Sequence, residues 1–337
     1  MTNWGVWLHA VRPVAELAGL AAAAEALGAR AVLVADEGTD RDLYVTLAAL
    51  AQRTTRVLLV GAVTNPHSRH PVATAAAWAS VAELAPGRVV AGFGAGGSRV
   101  FGPFGLQPAK PYKALVECID VVDALLAGQT VDHNGEFLVR AATLPWSPGR
   151  LPVALAGRGP RVERLAAERA DWILLAGRAI GRVGPLVADL RAIGEAQRGL
   201  AAAIAWNPSL GWTEPLIDEI RSHLAYMVVD MPATERTALG IDDNHTAQIR
   251  EVVNSRGATF AGPLIPDAVL ERYAVTGSRP RVVARLAELC RQVQPELVLF
   301  EAGDYSVPFL AAAAALAVDA GITPFHSEAE HGLDPHD

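Results

Sequence analysis

The residues of this chain best suited to chemistry lie in short clusters that each follow an apolar run. In Ala156-Gly157-Arg158-Gly159-Pro160-Arg161, the glycines let backbone approach a ligand closely, Pro160 opens a helix with free N–H groups, and two arginines add positive charge. This reads as a phosphate cradle; the plainer alternative is a glycine-rich strand-to-helix turn with two solvated arginines. Asp36-Glu37 supplies carboxylates, and a carboxylate at the mouth of a fold serves acid–base chemistry once burial lifts its pKa toward neutrality. Glu37 fits that catalytic role, the alternative being a side chain satisfied by Arg41 or by backbone N–H groups. His9 shares a strand face with Gly5 and Trp7 by period-two alternation, either as a substrate-side acid or hydrogen-bond donor or as a packed histidine. His67 and His70 stand three apart, but no carboxylate ligand set accompanies them, so no metal is expected. Gly92 to Gly97 reads GxGxGG, a weak dinucleotide signal, although Gly94 remains a candidate cofactor contact.

The elements that must position these clusters follow one rhythm. Runs rich in Val, Leu and Ile at 5–9, 31–35, 56–63, 89–93, 151–156, 172–176, 201–206 and 296–301 read as strands buried on both faces. Helical segments at 13–27, 42–53, 71–84, 112–127, 160–169, 180–197, 214–240 and 308–319 alternate with them, and further helical sequence fills 242–291. The expected fold is therefore an α/β (β/α)8 TIM barrel, with insertions after the fourth helix (128–150) and around the seventh and eighth strands (206–291). Residues 1–325 are read as one domain and 326–337 as a polar tail. In such a barrel the chemistry sits at the C-terminal ends of the strands, which makes Trp206, Asn207 and Glu301 substrate-pocket candidates, with core packing the alternative for Trp206. Trp146, from the first insertion, is expected to close over a bound ring.

Composition narrows the partners. The 337 residues are 51% hydrophobic and 19% charged, far from a disordered composition, and the net charge of −7 with scattered basic residues lacks the footprint of a nucleic-acid binder. A small-molecule ligand is the expected partner. Cys118 and Cys290 stand alone without zinc or disulfide spacing, and neither a leader-like N-terminus nor a long uninterrupted apolar run stands out. These features predict a cytoplasmic protein with no membrane partner.

Three strings carry a family resemblance: Val63-Thr64-Asn65-Pro66-His67-Ser68-Arg69-His70-Pro71, Leu84-Ala85-Pro86-Gly87-Arg88-Val89, and Gly92-Phe93-Gly94-Ala95-Gly96-Gly97-Ser98. Together with Leu151 to Pro160, Ala170-Asp171 and Tyr273 to Ser278, they resemble the luciferase-like monooxygenase superfamily, nearest its deazaflavin-dependent methylenetetrahydromethanopterin reductase branch. The resemblance implies a homodimeric barrel that binds coenzyme F420, or alternatively FMN, and exchanges a hydride with an imine, iminium or carbonyl substrate. The alternatives it leaves open are an FMN-dependent monooxygenase and a non-catalytic ligand-binding member. By matching, a non-prolyl cis peptide would fall at Gly61-Ala62, with Val63 the neighbouring candidate. Asp36, Thr64 and Asn65 match ring contacts, Gly157, Arg158, Gly159, Ala176 and Gly177 match the phosphate end, and Ala156 is a further expected cofactor contact. Two positions depart from the branch: Glu37 stands where relatives often carry His, and Trp7 aligns with a first-strand Glu, which puts Trp7 on the substrate side.

Overall fold

Short runs of Val, Leu, Ile and Ala, apolar on both faces, become the strands of a closed parallel barrel. They are β1 (Asn3–Leu8), β2 (Ala31–Val34), β3 (Leu58–Gly61), β4 (Val89–Phe93), β5 (Val153–Ala156), β6 (Trp172–Ala176), β7 (Ala203–Asn207) and β8 (Leu297–Glu301). Neighbours pair in chain order and β1 closes the ring against β8, so that Trp7 lies beside both Leu33 and Glu301. The architecture is the (β/α)8 TIM barrel. The computed structural model describes residues 1–198, 203–301 and 305–325, the side chains of Ser98, Arg99 and Arg198 excepted. The polar tail at 326–337 and the first two residues of the predicted seventh strand lie outside the described residues.

Period-two alternation sorts each strand between two environments. Along β1, Trp4, Val6 and Leu8 pack against the surrounding helices, while Trp7 joins the lumen. The lumen is filled largely by small and branched residues, among them Ala31, Val60, Ala62, Ala154, Leu174 and Leu299. Each fully buried Leu or Val contributes on the order of 1.5–3 kcal/mol, and the alanines keep the narrow interior from being overfilled.

The barrel helices are α1 (Val14–Ala26), α2 (Leu43–Ala51), α3 (Pro71–Leu84), α4 (Pro111–Leu126), α5 (Pro160–Arg169), α6 (Ile180–Arg198), α7 (Glu214–Val229), α8 (Arg279–Val293) and α9 (Val307–Asp319). Asp42 caps α2 by accepting from the N–H of Tyr44 and Val45, and His70 Nδ1 accepts from Val72 N ahead of α3, where Pro71 has no N–H to leave unsatisfied.

One local reading needs correction, and two segments gain structure that the sequence reading left unassigned. The single helix expected over 214–240 stops at Val229 and restarts at Ala233–Thr237. Pro232 between them cannot donate and disfavours helical geometry in the residue before it. The insertion at 128–150 contains an antiparallel hairpin, Val131–Asn134 with Leu138–Ala142, fastened to α4 through Glu117. The glycine-rich stretch after β4 leads into a short helix, Ser98–Phe104. Between β7 and β8 the chain builds a helical excursion with its own apolar cluster, including Leu224, Val228, Ile249 and Val269. Its first helix, α7, supplies residues at the barrel mouth.

Candidate active site

Strand register brings polar side chains together at the C-terminal end of the lumen. Glu301 follows Leu297 and Leu299 on the inward face of β8, and Asn207 follows Ala205 on that of β7. His9, two residues beyond Trp7, lies between two carboxylates: Nδ1 is 3.3 Å from Glu37 Oε2 and Nε2 is 2.6 Å from Glu301 Oε1. Asn207 donates from Nδ2 to the other Glu301 oxygen at 3.3 Å. Burial opposes charge on the His9 ring, but hydrogen bonding to Glu301 and Glu37 outweighs it and lifts the pKa to about 10. For Glu301, burial alone would favour the neutral acid, yet the charge of His223 and the hydrogen bond from His9 hold it well below the usual carboxylate range. Arg41, the alternative partner considered for Glu37, donates instead to the Val11 carbonyl at 2.5 Å.

A second set lies at the ends of β2 and β3. Thr64 Oγ1 donates to Asp36 Oδ2 at 2.6 Å, and burial raises the Asp36 pKa despite that bond. Asn65 Oδ1 accepts from the N–H of His67 and Ser68, and its Nδ2 donates to Ser68 Oγ, so its side chain shapes its own loop. The cis peptide joins Ala62 and Val63, one residue beyond the bond that matching placed first. Gly61 is not in the cleft wall: a Cβ there would lie 2.5 Å from Trp78, on the helix side of β3.

Part of both sets borders a cleft of about 480 Å³, whose wall includes Asp36, Glu37 and Asn65 but not His9, Thr64, Asn207 or Glu301. Trp7, Asp36, Glu37, Ala62, Val63 and Asn65 line one end; Gly157, Arg158 and Gly159 line the other, with Gly94, Ala156 and Ala176 between them. Tyr226 and Asp230, at the end of α7, complete the wall. Gly94 must be glycine, because a Cβ would meet Val63 Cγ2 at 2.7 Å and the Ala156 carbonyl at 3.2 Å. A larger groove of about 1190 Å³ runs between α7 and residues 257–267, but no strand-end residue among the described residues lines it, so the smaller cleft is the candidate site.

The glycine end has the features of an anion site. Arg178, just beyond β6, donates to the carbonyls of Gly157 at 2.7 Å and Arg158 at 2.8 Å, and pairs with Glu163 of α5. In a trans peptide C=O and N–H point in opposite directions, so the N–H groups of Arg158 and Gly159 face away from Arg178, which is not part of the cleft wall. The positive end of α5 begins beside them, and a Cβ placed on Gly159 would meet nothing within 4 Å. Gly177, at φ +61°, sits beneath the Arg158 side chain next to Met227 of α7. An anionic phosphate at this end and a planar ring toward Trp7 and Asp36 fit the cleft. At the ring end, the buried Trp7 Nε1 has no partner among the described residues and is available to a ligand acceptor.

Of the five predicted substrate contacts only Trp7 lines this cleft: Asn207 and Glu301 sit beside it in the His9 cluster, and Trp206 and Trp146 lie elsewhere. Trp206 faces outward into the layer between strands and helices, as alternation with the inward Asn207 requires. Trp146 is 45% exposed on the connection leading into β5, which enters the barrel at the face opposite the mouth. Sequence reasoning also missed His223, whose Nδ1 lies 3.4 Å from Glu301 Oε1, and the bracing role of Arg178. No spacing could have flagged His223, because it comes from the helical excursion.

Comparison with known proteins gives a consistent picture. The luciferase-like monooxygenase family profile matches residues 1–293. The chain is 27% identical over 274 residues to the 5,10-methylenetetrahydromethanopterin reductase of Archaeoglobus fulgidus, covering 77% of this chain and 81% of the relative. It is 33% identical over 173 residues to the F420-dependent glucose-6-phosphate dehydrogenase of Nakamurella multipartita, covering 47% and 51%. The structure of the coenzyme F420-dependent tetrahydromethanopterin reductase from Methanopyrus kandleri superposes with a TM-score of 0.78 at 21% identity, over 93% of this chain and 97% of that one.

Proposed function

The chain belongs to the luciferase-like monooxygenase family, and from that premise we propose that it is an oxidoreductase that binds coenzyme F420 in the barrel-mouth cleft and exchanges a hydride with a small imine, iminium or carbonyl substrate. One observation carries the reading: Glu37, held by His9, stands in the wall of the same cleft as the Gly157–Gly159 anion nest. Acid–base chemistry and cofactor anchoring are thus joined in one space. The F420-dependent activities of the relatives support the choice of cofactor.

When bound, F420 supplies the redox chemistry by taking or giving a hydride at its deazaflavin carbon. The residues of the chain do the rest. The N–H groups of Arg158 and Gly159, the Arg158 guanidinium and the start of α5 hold the phosphate. Asp36, kept in place by Thr64, and the Ala62-Val63 segment border the ring. Glu37 exchanges the proton that balances hydride transfer at the substrate heteroatom, and the His9 Nδ1–H fixes its orientation. Trp7 offers its unpartnered Nε1–H to an acceptor on the ring or substrate. Tyr226 and Asp230 help exclude water from the cleft.

The test is a paired titration of the purified protein with F420 and with FMN, followed by absorbance, then a screen of alcohols, aldehydes and imines for a change in F420 oxidation state. Saturable binding of F420 and hydride exchange with one substrate class are expected. Tight binding of FMN with none of F420 overturns the reading in favour of a flavin-dependent monooxygenase.

A further inference from the structure

We propose that His9, Glu301 and His223 form a site for a divalent cation of the zinc class at the mouth of the barrel. One ligand atom from each residue lies within 4.8 Å of the other two. Two imidazoles and a carboxylate are a donor set of open zinc sites, in which a water or substrate atom takes the fourth position. Nitrogen-rich donors of this kind select zinc over magnesium, which prefers oxygen ligands.

The surroundings are those of a built site. Zinc-bound histidines commonly donate their second ring nitrogen to a carboxylate. His9 has this arrangement: Nε2 faces Glu301 and Nδ1 faces Glu37. The second oxygen of Glu301 accepts from Asn207, whose Oδ1 is buried with no partner among the described residues. A cavity of about 40 Å³ borders His223 and Glu301, with Trp212, Leu216 and Phe309 in its apolar wall. That is room for one water or one substrate oxygen. The cation would take the place of the proton between His9 Nε2 and Glu301, leaving the Nδ1–H on Glu37 undisturbed. An oxygen donor in the open position would then be polarised beside His223 and Glu301.

The measurement needs no substrate or cofactor. Metal-free full-length protein is titrated calorimetrically with Zn²⁺ and with Mg²⁺, and bound metal is counted after gel filtration. One Zn²⁺ per chain and no Mg²⁺ binding are expected. His223, on the mouth helix and 39% exposed at its side chain, can be replaced with little disturbance of the core. His223→Ala and Glu301→Gln should each weaken Zn²⁺ binding at least about tenfold, with His223→Gln as the second variant should alanine lower the melting temperature. Co²⁺ bound to the parent protein should give the intense visible bands of four-coordination, and His223→Ala should abolish them. Absence of stoichiometric Zn²⁺, or equal binding by parent and variants, overturns the proposal. Because F420 is not in these experiments, either result leaves the cofactor assignment to its own titration.

Discussion

Glu37 can move a proton to or from a substrate only while it is held at the cleft, and His9 holds it there through one ring nitrogen while Glu301 takes the other. Glu37→Gln keeps the shape and removes the titratable oxygen. It should lower hydride exchange by about 100-fold or more, the scale of general acid–base catalysis, with F420 affinity close to that of the parent, as followed by stopped-flow absorbance with the accepted substrate. Equal loss of affinity and rate would instead place Glu37 among the cofactor contacts. Asp36 offers a prediction of opposite sign. Burial raises its pKa and the Thr64 hydrogen bond pulls it back, so Thr64→Val should raise it further, as read from a carboxyl NMR titration. Their place at strand ends made Glu301 and Asn207 legible, but that criterion also admitted Trp206, which alternation with the inward Asn207 turns outward.

Loops and helices set the next scale. The strand ends were legible because most apolar runs stop abruptly at Gly, Asp, Asn, Glu or His, and the 157–160 turn was legible because Gly157 and Gly159 permit close backbone approach and Pro160 suits a first helical turn. What braces that loop was not, since Arg178 reaches it from the next strand. Arg178→Met should release the two carbonyls and leave Glu163, whose pKa burial already raises, without its cation. Loss of about 1–3 kcal/mol in denaturant unfolding and at least tenfold weaker F420 binding are expected. Adding Glu163→Gln should restore much of the stability but not the affinity, because the loop remains unbraced. The hairpin at 131–142 hangs on Glu117, whose bonds to Lys113, His133 and the Glu136 N–H outweigh its burial and bring its pKa down to about 2 from the ordinary 4.5. A depressed folded-state pKa gives stability that is present above the unfolded value and lost as pH falls through the folded one. The melting-temperature gap between the parent and Glu117→Gln should therefore be open at pH 6 and close progressively between about pH 4.5 and 2.

At the scale of the whole molecule, a net charge of −7 would repel an anionic cofactor if the total field governed binding. The barrel instead concentrates the opposite sign locally, at Arg158, the N–H groups of the 157–160 turn and the start of α5. Charges beyond roughly 10 Å are largely screened at 0.1 M salt, so the local group outweighs the distant carboxylates. The two views differ in sign. If local attraction dominates, raising salt from 0.05 to 0.5 M should weaken F420 binding; if net repulsion dominates, it should strengthen it. A Gly159→Asp substitution places a carboxylate in the open space at the phosphate end, and its at least tenfold loss of affinity should be relieved in part by the same salt. Arg158→Ala should flatten the salt dependence of the parent, since the guanidinium, 3.9 Å from the Asp230 carboxylate, carries full positive charge into the cleft wall. A titration series over ionic strength with the three proteins decides it: an affinity that rises with salt in the parent would show that the barrel mouth does not shield its ligand from the charge of the molecule as a whole.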